Sequence, residues 1–350
     1  MKLTITTLLI FLAAVSCKKD IYSGITFNAP VFPDSIEVKT TLLNDTIYTK
    51  YIADIGIYKD YLILFTPGED YMFQLYDKKT GAKIKDFGEL GRGPQQILKI
   101  DDISINSQHG ILAAFHQATR EIYCFYLDSV IQNQPHFMDK INIKHYEDMT
   151  FSSALGGMHG FLLCGGKCEV YPGGARLTLF AKDGQIMDTY DEYPFSSNPK
   201  DSIHAGENWR YLWNSHAISP DGSKYAEATE IGGILQTFQV NDKIRPMSLR
   251  GYYKPHFYTK KNQLVFTKKT QFGFYGLTAS DKYLYALSHS GKNDSNLPEK
   301  DFQVFDWQGN PIKKYKTDQL LMRLCVDEAN AKVYAIAFDN YEYHLVSFNL

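Results

Sequence analysis

Apolar residues recur along this chain in short runs with an apolar/polar beat of two, and Gly, Asp, Asn and Pro stand between the runs. Such a beat places alternate side chains on opposite faces of a pleated strand, so it predicts strands joined by tight turns rather than helices. One unit shows the grammar: Tyr51 to Ile57, Tyr61 to Phe65, Tyr71 to Tyr76, a turn at Lys78-Lys79-Thr80-Gly81, then Ala82 to Phe87. Four hairpin-linked strands make a small sheet with two apolar faces, and that sheet must stack on neighbours to bury them.

The same grammar returns from Ile100 to Ile143, from Met149 to Tyr190, from His216 to Leu249 and from Phe272 to Tyr315. A sixth unit holds only Leu321 to Val326, Lys332 to Phe338 and Tyr343 to Phe348, one strand short. The alternating stretch Ser35-Ile36-Glu37-Val38-Lys39-Thr40 is the natural donor of the missing strand, and pairing it with the last unit would close the ring and remove the exposed edges. The expected fold is therefore all-β: a six-bladed β-propeller whose last blade is closed by an N-terminal strand. The polar stretch Asp191 to Trp213, and Tyr252 to Lys269, read as long surface excursions.

The first 16 residues follow another pattern, Met1-Lys2 and then an apolar run from Leu3 to Val15. That run is too short to span a bilayer core, which takes about 20 helical residues, and its charged start and small-residue exit are those of a secretory signal. The exit Ala14-Val15-Ser16-Cys17 resembles a bacterial lipobox, with cleavage before Cys17 and acylation of that residue by chains such as palmitate. The expected organisation is a signal peptide at 1–16, a lipidated tether at 17–34 and one propeller domain at 35–350. Removing the signal leaves about 56 residues for each of six blades.

Composition supports a real core, with 44% hydrophobic residues, and 25 Tyr and 22 Phe favour pleated surfaces over helices. The near-zero formal charge of −2, with basic and acidic residues interleaved, gives no footprint for nucleic acid. Cys124 and Cys325 fall within strand-like runs and read as buried thiols. Cys164-Gly165-Gly166-Lys167-Cys168 reads as a tight hairpin that would let Cys164 and Cys168 form a disulfide in an oxidising envelope. No second Cys pair or His pair has metal-ligand spacing, so neither a metal nor another cofactor is expected.

Two segments carry a resemblance. Ser219-Pro220-Asp221-Gly222-Ser223-Lys224-Tyr225-Ala226 resembles the strand-turn-strand signature of TolB-type propeller repeats. Phe87-Gly88-Glu89-Leu90-Gly91-Arg92-Gly93-Pro94-Gln95-Gln96 is similar to the Gly-x-Gly-Pro-Gly-Glu-Phe segment of TolB-like six-bladed propeller lipoproteins of Gram-negative bacteria, with Gln95-Gln96-Ile97 standing where Gly-Glu-Phe is usual. The resemblance implies a propeller in the cell envelope, lipid-anchored at the outer membrane, and no particular reaction.

In a propeller, ligands meet the axial funnel lined by the innermost strands. The candidate funnel residues are Arg92, Asp101, Asp102, Trp213, His216, Tyr275 and Arg323, with Ser152, Ser153, Phe274 and Met322 at equivalent positions. Carboxylate, imidazole, guanidinium and aromatic groups together suit a polar ligand with an apolar face, such as a sugar or a peptide. Trp209, Tyr211 and Trp213 bring three large aromatics to one excursion, a surface for a sugar ring or a pin for the loop itself. Gly91-Arg92-Gly93 fits neither phosphate-loop spacing, and no Gly-x-Ser-x-Gly elbow or sialidase Asp-box is present. The leading expectation is a noncatalytic module that presents its funnel to a glycan, peptide or envelope protein; the alternative is a carbohydrate lyase or hydrolase using Asp101 or Asp102, His216, Tyr275 and Arg323.

Overall fold

A computed structural model describes residues 22, 24–45, 47–143, 150–157, 160–166, 175–194, 212, 214–260, 263–289 and 298–350. The signal-like segment, Cys17, Cys168, Trp209, Tyr211 and Trp213 lie outside them. The chain opens with two short strands, β1 (Asp34–Val38) and β2 (Thr41–Asn44). Blade 1 follows as β3 (Asp54–Tyr58), β4 (Tyr61–Phe65), β5 (Tyr71–Asp77) and β6 (Lys83–Glu89). Blade 2 is β7 (Asp102–Asn106), β8 (Ile111–His116), β9 (Glu121–Tyr126) and β10 (Met138–Asn142), with a short helix α1 (Leu127–Ile131) between the last two. Blade 3 comprises β11 (Thr150–Gly156), β12 (Gly160–Gly166), β13 (Leu177–Ala181) and β14 (Ile186–Tyr190). Blade 4 comprises β15 (Asn214–Ile218), β16 (Lys224–Thr229), β17 (Gly233–Val240) and β18 (Ile244–Tyr253).

The expected excursion from Tyr252 folds back as its own hairpin, β19 (Phe257–Lys260) with β20 (Gln263–Phe266). Its Phe257, Leu264 and Phe266 pack on a small cluster containing Tyr22, Leu212, Ile231 and Phe272. Blade 5 contains β21 (Phe274–Ala279), β22 (Tyr283–His289), β23 (Pro298–Asp306) and β24 (Pro311–Thr317); blade 6 contains β25 (Leu321–Asp327), β26 (Lys332–Asp339) and β27 (Glu342–Asn349).

The repeated near-continuous apolar strands follow from burial on both faces. In β4, Ile63 and Phe65 enter the seam with blade 2, while Leu62 and Leu64 enter the seam with blade 6. In β26, Val333, Ala335 and Ala337 face blade 5, while Tyr334 and Ile336 face blade 1. Each of the six seams holds its own buried apolar cluster, and the seam between blades 6 and 1 is as complete as the others. The six inner strands, β3, β7, β11, β15, β21 and β25, all line one narrow axial cavity of about 120 Å³.

An N-terminal strand does complete blade 6, but it is β2 rather than the Ser35–Thr40 stretch. Thr41 and Leu42 pair antiparallel with Ser347 and Val346 of β27. Residues 34–38 instead add a fifth, parallel strand to blade 5, with Asp34 opposite Lys313 and Val38 opposite Thr317. Thr40 joins the two by donating its N–H and hydroxyl to Asp318 at 3.0 and 2.9 Å. Upstream, Phe27 bridges Gly251 at the edge of blade 4. One arm therefore crosses the outer edges of three successive blades, covering backbone groups that would otherwise stand open. Ile36 alternates as a strand should, yet it lies on an outer edge that remains partly exposed, so its pattern did not specify a partner.

The latch seats against blade 1 through Gly81, whose carbonyl accepts from Asn44 Nδ2 at 2.7 Å. Gly81 has φ +71°, and a Cβ there would lie 2.6 Å from the Leu43 carbonyl oxygen. Gly81→Val should cost at least about 2 kcal/mol through backbone strain and contact with β2. Thermal melts should show the loss, and limited proteolysis should cut sooner before Asn44; unchanged melting and cutting would show that β2 is no latch.

Candidate functional site

At the end where the inner strands begin, the axial cavity widens into a mouth of about 350 Å³. Every blade contributes to it: Tyr51, Ala53 and Asp54 from blade 1; Asp101 and Asp102 from blade 2; Leu155 from blade 3; Asn214, Ser215 and His216 from blade 4; Tyr275 from blade 5; Arg323 from blade 6. Three of these inner strands carry a β-bulge at the mouth, between Phe151 and Ser153, Phe274 and Gly276, and Leu321 and Arg323. The extra residue of a bulge bends the strand and re-aims a side chain. At the blade 5 bulge, the Tyr275 hydroxyl donates to the Leu321 carbonyl at 2.8 Å, which stitches blade 5 to blade 6.

Arg323 is held at the closing seam. Its Nε donates to the Ala53 carbonyl at 2.5 Å and its Nη1 to the Met322 carbonyl at 2.7 Å. Beside it, burial pushes the Asp54 carboxyl above its usual range, against the opposing pull of the Arg323 charge and a hydrogen bond from the Ile55 N–H. Burial also acts to raise Asp101, but hydrogen bonds from Lys99 and the Gln117 N–H prevail and hold that carboxyl low. The Asn214 Oδ1 is buried at the mouth with no hydrogen-bond partner among the described residues. The mouth thus gathers carboxyl, amide, imidazole, phenol and guanidinium groups from separate blades.

Behind His216, in the seam of blades 3 and 4, lies a buried charged network. Arg176 is 0% exposed and Glu227 2%. The Arg176 guanidinium donates to Glu227 Oε2 at 2.5 Å and to the Glu192 carbonyl at 2.7 Å, with the rings of Tyr190, Tyr193 and Phe238 around it. Tyr225 Oη lies 2.6 Å from Glu227 Oε1, 2.7 Å from His216 Nδ1 and 3.1 Å from Cys164 Sγ. Burial opposes ionisation of Glu227, yet Arg176, His216 and the hydrogen bonds from Tyr225 and Arg176 hold its carboxyl below the usual range. Burial lowers His216, with Glu227 opposing and Arg176 reinforcing that shift, and it pushes the Cys164 thiol well up. Cys164, His216 and Glu227 offer ligand atoms within 4.8 Å of one another, a set of metal-binding type. The Tyr225 hydroxyl sits among them and already joins all three by hydrogen bonds.

The profile of the TolB-like 6-blade propeller-like family matches residues 31–329. The chain belongs to the TolB-like six-bladed propeller family. Among solved structures, it is similar to a presumptive exported protein from Bacteroides fragilis NCTC 9343, at 10% identity and TM-score 0.53 over 90% of this chain and 98% of that one. It is similar too to a member of the duf4221 family from Bacteroides vulgatus ATCC 8482, at 10% identity and TM-score 0.53 over 89% and 96% of the two chains. At this identity the likeness shows the fold. No curated protein matches the chain.

In this TolB-like propeller the mouth brings together Asp101, Asp102, His216, Tyr275 and Arg323 of the residues singled out by sequence. Arg92 is exposed on the loop between β6 and β7 and lines neither axial cavity. That loop is closed by Gln96, whose Oε1 accepts from the Gly93 N–H at 2.9 Å, so the residue at the family's Glu position has a structural task here. Cys164 is buried at the seam, and its suggested partner Cys168 lies outside the described residues. Sequence reading missed Asp54, although it opens an inner strand as Asp102 does, and aligning the units strand by strand would have found it. It also missed Arg176 and Glu227; the one signal was an acid amid the small and apolar residues of Tyr225-Ala226-Glu227-Ala228.

Removing one partner of the buried pair strands the other charge, so Arg176→Met should destabilise the fold by about 3–5 kcal/mol, and adding Glu227→Gln should recover part of the loss. Chemical denaturation of the single and double variants checks this. His216 and Glu227 both bind protons less readily folded than at their ordinary values of 6.5 and 4.5. Their contribution is therefore present above those values and lost as pH falls through the folded ones. The melting temperature should begin to fall below about pH 6.5, and His216→Asn should remove that upper step.

Proposed function

We propose that this protein is a lipid-anchored envelope binding module whose funnel mouth captures a hydroxyl-rich ligand, a segment of glycan, or presents it to a partner. The observation that carries the reading is the gathering of polar groups from separate blades at one mouth: the carboxyls of Asp54 and Asp101, the His216 ring, the Arg323 guanidinium and the Asn214 Oδ1, which has no hydrogen-bond partner among the described residues. Ligand hydroxyl groups can both donate to and accept from these groups, and the Tyr51 ring at the rim supplies an apolar face. Six stacked blades hold these groups rigidly, so little side-chain freedom is lost on binding. The lipobox at Ala14-Val15-Ser16-Cys17 and the name of the Bacteroides fragilis relative support export and anchoring at the outer membrane through acylated Cys17. A peptide or envelope protein is the other ligand that this chemistry admits.

One observation favours the second reading, a carbohydrate lyase or hydrolase. Asp54 is pushed up and His216 down at one mouth, and groups whose environments drive them apart suit acid and base roles.

A glycan and peptide array probed with wild type, Asp54→Asn and Asp102→Ala tests the site. Capture of glycans by wild type, weakened about tenfold or more in both variants, is the expected result. Equal capture by all three would remove the mouth as the site, and release of cut glycan by wild type but not by Asp54→Asn would establish the enzyme instead. Cys17→Ala should move the protein from membranes to the soluble fraction; a variant that still pellets and takes up labelled fatty acid would refute the anchor.

A further inference from the structure

The network behind His216 has a proton count that the distances resolve. Glu227 is an ionised acceptor held by Arg176, so it has no proton to give. A hydroxyl oxygen 2.6 Å from a carboxylate oxygen must carry the proton between them, which commits the only hydrogen of Tyr225 to Glu227 Oε1. The Tyr225 oxygen can then only accept from its remaining neighbours. Cys164, whose thiol burial keeps protonated, donates from Sγ at 3.1 Å. His216 lies 2.7 Å away through Nδ1, and that contact requires a hydrogen on Nδ1. A neutral imidazole with its proton on Nδ1 has a bare lone pair on Nε2. The Nδ1 edge is tied into the seam, while the residue lines both the mouth and the narrow channel beneath it. The opposite ring edge therefore serves the cavity.

We propose that the buried chain Arg176, Glu227 and Tyr225 fixes His216 as a hydrogen-bond acceptor at the funnel mouth, with Nε2 as the atom that selects a hydroxyl donor on the ligand. His216 is then the specificity-determining residue of the mouth, and Tyr225 is a positioning residue that acts through it. The ligand class rests on the reading of the mouth as a binding site; the tautomer does not. Substitution on the ligand of a pure acceptor for the hydroxyl would set two acceptors against each other, and such a ligand is refused.

Nitrogen-15 NMR of His216 in the full-length protein tests both halves at neutral pH. The expected spectrum shows a protonated Nδ1 and a bare Nε2, with the Nε2 resonance moving on addition of methyl β-glucopyranoside and not on addition of acetate. Tyr225→Phe removes the accepting oxygen, so the proton should shift toward Nε2 and glycoside affinity should drop about tenfold. His216→Gln, whose amide can donate inward and accept outward, should retain more affinity than His216→Leu. A wild-type spectrum with the proton on Nε2 overturns the relay. An Nδ1-protonated ring untouched by the glycoside, or one that responds to acetate, keeps the relay and overturns the ligand selection. If Tyr225→Phe fails to fold, the wild-type tautomer and the His216 pair still decide both points.

Discussion

Burial on both faces of every sheet is the constraint from which the rest of the molecule follows. A blade such as β3 to β6 sends Ile63 and Phe65 one way and Leu62 and Leu64 the other, so it has no outer face to leave in water. Four strands alone would expose one apolar face or the other. Stacking solves this only if the stack has no ends, and the seam of blades 6 and 1, with Ile55, Tyr76, Tyr334 and Ile336, shows that it has none. Closure then sets the site, because only a closed ring brings the starts of six inner strands around one mouth.

The mouth departs from regular blade geometry where chemistry gathers. Bulges at Phe151/Ser153, Phe274/Gly276 and Leu321/Arg323 interrupt ladders that are otherwise in register; the second frees Tyr275 from its ladder, the third leaves Met322 unpaired beside Arg323, and both Tyr275 and Arg323 tie adjacent blades together. The seam behind His216 departs further, placing an arginine and a glutamate where the other seams hold aliphatic and aromatic groups. A buried ion pair of this kind contributes little net stability against an apolar replacement, because desolvation offsets the attraction. Its effect is orientation: two charges and a phenol hold one imidazole in one state.

Much of the ring was legible because the beat of two is a local signal repeated many times. Strands such as Tyr61–Phe65 and Ile111–His116 stand where their patterns placed them, and Asp-Gly turns such as Asp221-Gly222 lie between consecutive strands as expected. What failed was non-local. The alternating stretch Ser35–Thr40 has a strand pattern, but which edge a strand joins depends on distant partners, 279 residues away for Asp34 with Lys313 and 306 for Thr41 with Ser347. The site was legible only as positions at the openings of inner strands. The contacts that give it electrostatic character, Arg176 with Glu227 and Arg323 with Ala53, join separate blades and leave no local pattern.

The belt formed by residues 27–44 has a consequence for the order in which the molecule is assembled. These residues are synthesised well before their neighbours on Gly251, β24 and β27, and Thr40 waits for Asp318 across a separation of 278 positions. Blades can form one by one during synthesis, but the circle cannot be locked until β27 has been made. A nascent chain is thus kept as an open, incomplete arc, and a premature stop within β27 leaves residues 41–44 without the neighbour they clasp.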